Sequence, residues 1–310
     1  MRIFAWHVHG SWMTAFVQGA HEYVVPVLPD RSANGRGRAQ TWEWPASVRE
    51  LPPKDLAALD VDVVVIQRPE ELSLATAWLG RRPGIDVPAV YVEHNAPPGP
   101  VQEMRHPVAD RPHMTLVHVT HWNRVHWDAG GARTLVIEHG IVDPGPAYRG
   151  DLERSAVVIN EPARRGRVTG TDLLPRFEKV APLDLFGIGA GALGGVENLP
   201  QAELHRALAE RRLYLHLCRW TSLGLSLIEA MQLAMPVVAL ATTEVPRAVP
   251  PEAGVVSNDL EELEEAVRWL LREPQRARAM GAAAREAALA RYGLGRFLAD
   301  WDALLAEVAA

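Results

Sequence analysis

Thr221–Leu240 reads TSLGLSLIEAMQLAMPVVAL, a turn, a helix and a buried strand in direct succession. Leu225, Ile228, Met231 and Leu233 recur at helical spacing, and Pro236 stops the helix just before the apolar run Val237-Val238-Ala239-Leu240. Thr221 and Ser222 are both residue types that cap helix N-termini. The helix opens beside Gly224, where unpaired backbone amides and the positive end of the helix dipole suit a phosphate. Glu229 lies further in, placed to accept hydrogen bonds from a sugar diol. The plainer reading of the same residues is a helix packed on a sheet with one exposed Glu, and the stretch alone does not separate the two.

Upstream and downstream of this stretch the same alternation recurs. The first half offers the strands RIFAWHV, YVVPVL, VDVVVIQ, VPAVYVE, TLVHVT and TLVIEHG, with helices from about Trp12, Glu70 and Trp122. Continuous Val-rich runs suit strands buried on both faces, so the expectation is a doubly wound parallel sheet with ligands at the C-terminal strand ends. Gly140–Gly150, GIVDPGPAYRG, reads as a linker. The pattern then restarts with SAVVIN, LDLFGIG, LYLHL and PVVAL, interleaved with helices near Asp172–Val180, Gln201–Arg211 and Gly224–Leu233. Beyond Asn258 the chain is nearly all helical. Asp259-x-x-Glu262 resembles a capping box, and a last amphipathic helix carries Phe297, Trp301 and Leu304.

Composition narrows the functional classes. The chain has 310 residues, enough for two domains each with a core, and 48% hydrophobic against 23% charged residues is a soluble, globular balance. Its net charge of -6 and the lack of a dense basic run argue against a nucleic-acid partner. A single cysteine, Cys218, excludes an internal disulfide and makes a cytoplasmic setting the default. No stretch reaches the length of a membrane span, so membrane contact has no support. Ten of the twelve His and seven of the ten Trp precede residue 150, which fits a groove for a sugar acceptor or ordinary core and surface use.

Several stretches carry possible chemistry. His7-Val8-His9-Gly10-Ser11-Trp12 follows the first strand, where Gly10 and Ser11 bring backbone amides to the sheet edge. Neither these histidines nor His118-x-x-His121-x4-His126 present a fixed ligand face, so no metal is expected. Glu93-His94-Asn95 ends another strand before a Pro-rich loop. Asn160-Glu161-Pro162-Ala163-Arg164-Arg165-Gly166-Arg167 puts three guanidinium groups at a strand end, a reasonable diphosphate clamp or a solvated basic loop. Gly189-Ala190-Gly191-Ala192-Leu193-Gly194 matches G-x-G-x-x-G, but no helix opens directly on it, which weakens a dinucleotide reading. Asp60-Val61-Asp62 stands before its strand, at the wrong end of a parallel sheet for a metal-bound nucleotide.

TSLGLSLIEAMQLAMPVVA resembles the E-G-F-G-L-x-x-x-E-A-M-A-x-G-x-P-V-V-A signature of retaining GT-B glycosyltransferases of the group 1 (family 4) type. NEPARRG stands where that family has R-x4-K-G, and VIEHGIVD where it has V-I-P-N-G-V-D. The resemblance implies two Rossmann-like doubly wound parallel-sheet domains facing across a cleft: residues 1–148 for the acceptor and 149–295 for the donor. The last helix, 296–310, would cross back to the first domain.

Carried over residue by residue, Glu229 matches the ribose-binding Glu, and the amides of Leu223, Gly224 and Leu225 match the diphosphate-binding helix start. Arg165 replaces the phosphate-binding Lys. His94 resembles the histidine near the transferred sugar and, with Arg165, is the implied catalytic pair. Gly10, flanked by His9 and Ser11, resembles the glycine-loop position. Thr221 occupies the first Glu of E-x7-E, and Asn160 the Arg of R-x4-K, which leaves Arg164 or Arg167 to supply the missing charge.

The implied activity is transfer of a sugar from a nucleoside diphosphate sugar to an unidentified small-molecule, glycan or lipid acceptor, with retention and with neither metal nor cofactor. The alternatives are a non-catalytic nucleotide-sugar-binding subunit and an NAD-dependent oxidoreductase.

Overall fold

The apolar runs of the first half become strands β1 (Arg2–Ala5), β2 (Glu22–Pro26), β4 (Val63–Ile66), β5 (Ala89–Glu93), β6 (Thr115–His118) and β7 (Arg133–Val136), joined by β3 (Val48–Leu51). Between them lie helices α1 (Gly10–Phe16), α2 (Pro53–Leu56), α3 (Pro69–Leu79) and α4 (His121–His126). All seven strands are parallel, in the order β3-β2-β1-β4-β5-β6-β7. Ile3 pairs with Tyr23 on one side and Val63 on the other. Strand order reverses between β1 and β4, so the loops leaving these two strands frame the switch point of the sheet.

This computed structural model describes residues 1–310 and divides into two units, Met1–Val142 with Leu294–Ala310, and Asp143–Gly293. Both divisions fall a few residues before the expected 148/149 and 295/296. On one face of the first sheet Phe4, Trp6, Val64, Ile66 and Tyr91 pack with Leu56, Ala75 and Leu79. Elsewhere in this unit, Trp12 and Phe16 of α1 stack at 4.8 Å, and Trp301 of α12 (Leu294–Ala309) meets both edge-on at 5.7 and 5.1 Å. Trp12, Phe16 and Trp301 are no more than 1% exposed. Truncating one such ring to Ala costs about 3–5 kcal/mol.

The second unit contains β8 (Leu152–Val158), α5 (Pro162–Arg165), α6 (Leu174–Glu178), β9 (Leu183–Phe186), α7 (Gln201–Glu210), β10 (Arg211–His216), α8 (Leu225–Gln232), β11 (Val237–Leu240), α9 (Val245–Ala248), β12 (Gly254–Ser257), α10 (Leu260–Arg272) and α11 (Pro274–Tyr292). Its five strands are parallel in the order β12-β11-β10-β8-β9, so the reversal lies between β8 and β10. Val157, Leu213, Leu215, Val238, Leu263, Val267 and Leu270 form its core. Asp259 caps α10 by accepting from the Glu261 and Glu262 amides. The reciprocal half of the expected box is replaced: the Asp259 amide donates to Ser257 Oγ at 3.0 Å.

Candidate functional site

Each unit gathers its chemistry-bearing side chains at the C-terminal strand ends beside its switch point. In the second unit these are the loop after β8, with α5, and the loop after β10 that leads into α8. The two loops are tied together through one carbonyl. Val168 O accepts from the amides of Arg219 at 2.9 Å and Trp220 at 3.2 Å, and from Cys218 Sγ at 3.3 Å.

Of the basic residues at this edge only one is uncommitted. Arg164 Nε donates to Glu161 at 3.0 Å as part of a two-point ion pair. Arg167 and Arg219 share Asp172, at 3.0 and 2.6 Å. Arg165, half-buried, makes no side-chain hydrogen bond or ion pair, and its charge is felt at Glu161 and at Cys218 in the neighbouring loop. Asn160 serves the backbone, its Oδ1 accepting from the Ile188 amide at 2.9 Å. Gly187 next to it sits at φ 134°, and a Cβ there would stand 2.2 Å from Ile159 O. The loop is therefore built around backbone approach rather than side-chain bulk.

Helix α8 opens beside Gly224, as expected, but without the expected cap. Gly224 is its N-cap and no side chain caps it, whereas the expected caps Thr221 and Ser222 belong to the preceding loop. Thr221 instead acts on the Cys218 thiol, whose pKa it lowers against the rise that burial causes. An uncapped start leaves the first α8 amides to solvent or to a ligand. Leu223 is buried and Leu225 half-buried beside them. His216, at the end of β10, packs on Gly224 so tightly that a Cβ there would lie 2.7 Å from its Cε1. Burial pushes the His216 imidazole down to about 4, which keeps it neutral.

Glu229 is 2% exposed, not the surface Glu of the plainer reading. Gln201 Nε2 donates to its Oε2 at 2.8 Å, and His205 Nε2 lies 3.3 Å from the same oxygen. Neither residue was singled out from sequence, although their i, i+4 spacing on α7 puts both on one helix face. The G-x-G-x-x-G stretch forms a 3-10 turn, Ala190–Leu193, followed by a loop to Gln201, so it lacks the helix start a dinucleotide fingerprint needs.

In the first unit, His9 is the N-cap of α1, whose first residues are Gly10 and Ser11. The His9 ring lies 4.2 Å from that of His94, which follows β5, and Trp12 presents an edge to His94 at 4.9 Å. His139, which follows β7, stacks on His94 at 6.3 Å. His94 is held well below the ordinary histidine range by burial, then by His9 and His139. Burial, then His9 and Arg296, push His139 down to about 3. Its Nδ1 is buried without a partner. His139 lies within VIEHGIVD but was given no role there, and Gln67, whose Oε1 lies 3.1 Å from His94 Nε2, had no signal beyond ending β4.

The other histidine run does not converge. His118 is fully buried with neither ring nitrogen bonded, while His126 Nδ1 bonds its own helix at Trp122 O, 2.8 Å. No group of three His, Cys, Asp or Glu is arranged as metal ligands. Asp60-Val61-Asp62 binds Arg2 at the start of β1, at the opposite sheet edge. No helix is long and apolar enough to cross a membrane.

Residues 154–302 match the family model described as glycosyl transferase-like. Sucrose-phosphate synthase from Thermosynechococcus elongatus superposes with a TM-score of 0.71 at 14% identity, over 99% of each chain. HepE from Anabaena, solved with UDP, gives 0.69 at 13% identity, over 99% of this chain and 100% of that one. TarM from S. aureus, solved with fondaparinux, alpha-GlcNAc-glycerol and UDP, gives 0.62 at 13% identity over 78% of this chain. The present chain spans about half of TarM, 55% of its length. No curated protein matches the sequence. The chain thus has the GT-B fold, two parallel-sheet α/β units, and is glycosyl transferase-like across residues 154–302.

Proposed function

We propose that the protein is a glycosyltransferase that moves a sugar from a nucleoside diphosphate sugar to a hydroxyl-bearing acceptor, with retention and without a metal. The observation that carries this reading is Arg165. It is an unpaired guanidinium at the end of α5, which follows β8, and the Val168 tie holds it beside the loop that opens uncapped α8. A cation and free amides on two loops of one switch point are what a leaving diphosphate requires. In this reading Arg165 and the amides of Leu223, Gly224 and Leu225 bind the diphosphate, Glu229 the ribose, and Thr221 the region of the transferred sugar. Arg164 and Asn160 shape the loop. The first unit takes the acceptor around Gly10, Ser11 and His9, with His94 against the sugar.

UDP-sugars are the first donors to try, because HepE and TarM were solved with UDP. Incubation with UDP-glucose, UDP-GlcNAc and their GDP and ADP counterparts, followed by nucleotide release and by the anomeric configuration of any product, tests the reading. Stabilisation by NAD but by no nucleoside diphosphate would end it. Tight nucleotide binding with neither hydrolysis nor transfer would favour a non-catalytic binding subunit, a reading to which the structural use of Asn160 lends weight.

A further inference from the structure

The carboxamide of Gln67 stands between two groups at the switch point of the first sheet. Its Nε2 lies 2.7 Å from Trp6 O, and a carbonyl oxygen only accepts, so this end of the amide must donate. Its Oε1 therefore faces His94 Nε2 at 3.1 Å. An amide oxygen also only accepts, so the imidazole must carry its proton on Nε2. Only one orientation of the amide satisfies the Trp6 carbonyl. Gln67 is 1% exposed, and its backbone N–H is held by Glu71 Oε2 at 2.7 Å. A flip would set two oxygens 2.7 Å apart.

We propose that Gln67 is a positioning residue that locks His94 as the Nε2–H tautomer, so that the nitrogen offered to a bound sugar is Nδ1, an acceptor for a substrate hydroxyl. His94 then orients a hydroxyl and does not protonate a leaving group. The titratable groups packed against the ring, His9 and His139, would both oppose a second proton on it. The substrate half of this inference rests on the glycosyltransferase reading, whereas the tautomer belongs to the free protein.

Two-bond proton–nitrogen correlation spectra of protein labelled with nitrogen-15 histidine separate the two tautomers, and the His94→Asn spectrum identifies the signal. The wild type should show a protonated Nε2 and a bare Nδ1 at His94, unchanged over roughly pH 5 to 8. Gln67→Leu should admit the Nδ1–H form and lower UDP-glucose turnover about tenfold, with UDP affinity unchanged. Gln67→Glu, which keeps the shape and adds a charge, should bring a titration of His94 into the same range and serves if the Leu variant fails to fold. An Nδ1–H pattern in the wild type, a pure Nε2–H pattern in Gln67→Leu, or no new titration in Gln67→Glu would overturn the assignment. An intact wild-type pattern in a protein that consumes no nucleotide sugar would sink the transferase reading instead and leave the tautomer standing.

Discussion

Gln201 Nε2 donates to Glu229 Oε2 at 2.8 Å, joining α7 to α8 through a carboxylate that is 2% exposed. The residue implied to bind ribose is thus already part of the protein's own polar network before any ligand arrives. Glu229→Gln should therefore do two things. It should weaken nucleoside diphosphate binding tenfold or more, and it should lower stability without ligand by about 1–3 kcal/mol, because an amide nitrogen then faces the Gln201 donor. Titration calorimetry and urea unfolding read the two effects separately, and a loss of affinity with unchanged stability would contradict the network.

Arg165 and Arg164 are adjacent in sequence and opposite in circumstance. Arg164 is already paired with Glu161, while Arg165 has no partner. Arg165→Ala should weaken UDP binding roughly tenfold to a hundredfold, leave uridine binding nearly unchanged, and cost little stability. Arg164→Ala should change UDP affinity far less. Equal losses from both variants would show that the clamp has been placed on the wrong side chain.

Gly224 predicts a purely steric effect, because its φ of -67° suits any residue. Ala at this position would press its Cβ to within 2.7 Å of His216 Cε1 and should destabilise the second unit by about 1–3 kcal/mol. Thr221→Ala, by contrast, should show no cap loss, since Thr221 lies outside the helix start. Thermal unfolding of both variants provides the comparison, and a larger loss from Thr221→Ala would reverse it.

Burial pushes His118 down to about 3, with neither nitrogen bonded. Its folded pKa lies below the unfolded value of about 6.5, so between those limits the unfolded chain binds the extra proton. Stability is unaffected above that window and falls, by about 1.4 kcal/mol per pH unit for each such histidine, as pH drops through it. His139 and His216 act in the same direction. His118→Leu should flatten the dependence measured by urea unfolding between pH 7 and 5 by about one group. An unaltered slope would mean that His118 titrates normally.

The sheets were legible wherever strands are buried on both faces, as in VDVVVIQ and PVVAL. Strands β3 and β12 escaped the sequence reading because each is only four residues long, and β3 carries Arg49 and Glu50 in place of an apolar run. At the candidate site the positions were legible and the partnerships were not. Nothing in NEPARRG says that Asn160 holds Ile188 or that Arg164 is taken by Glu161, since both bonds depend on how the loop folds back. The start of α8 beside Gly224 was legible and its cap was not: Thr221 has the chemistry of a cap, but the Val168 carbonyl holds the residues before it in a loop. Gln67 carries no signal because its role comes from a carbonyl and an imidazole far apart in sequence.

The first unit is interrupted: its chain stops at Val142 and resumes at Leu294, and Trp301 closes the cluster that Trp12 and Phe16 begin. Every residue of the second unit precedes that tryptophan in the chain. Domains fold as units, so the first unit cannot mature until α12 covers the aromatic rings of α1. A chain cut after Gly293 would keep every residue of the second unit and bare the aromatic face of α1, a surface that a chaperone would recognise and α12 hides.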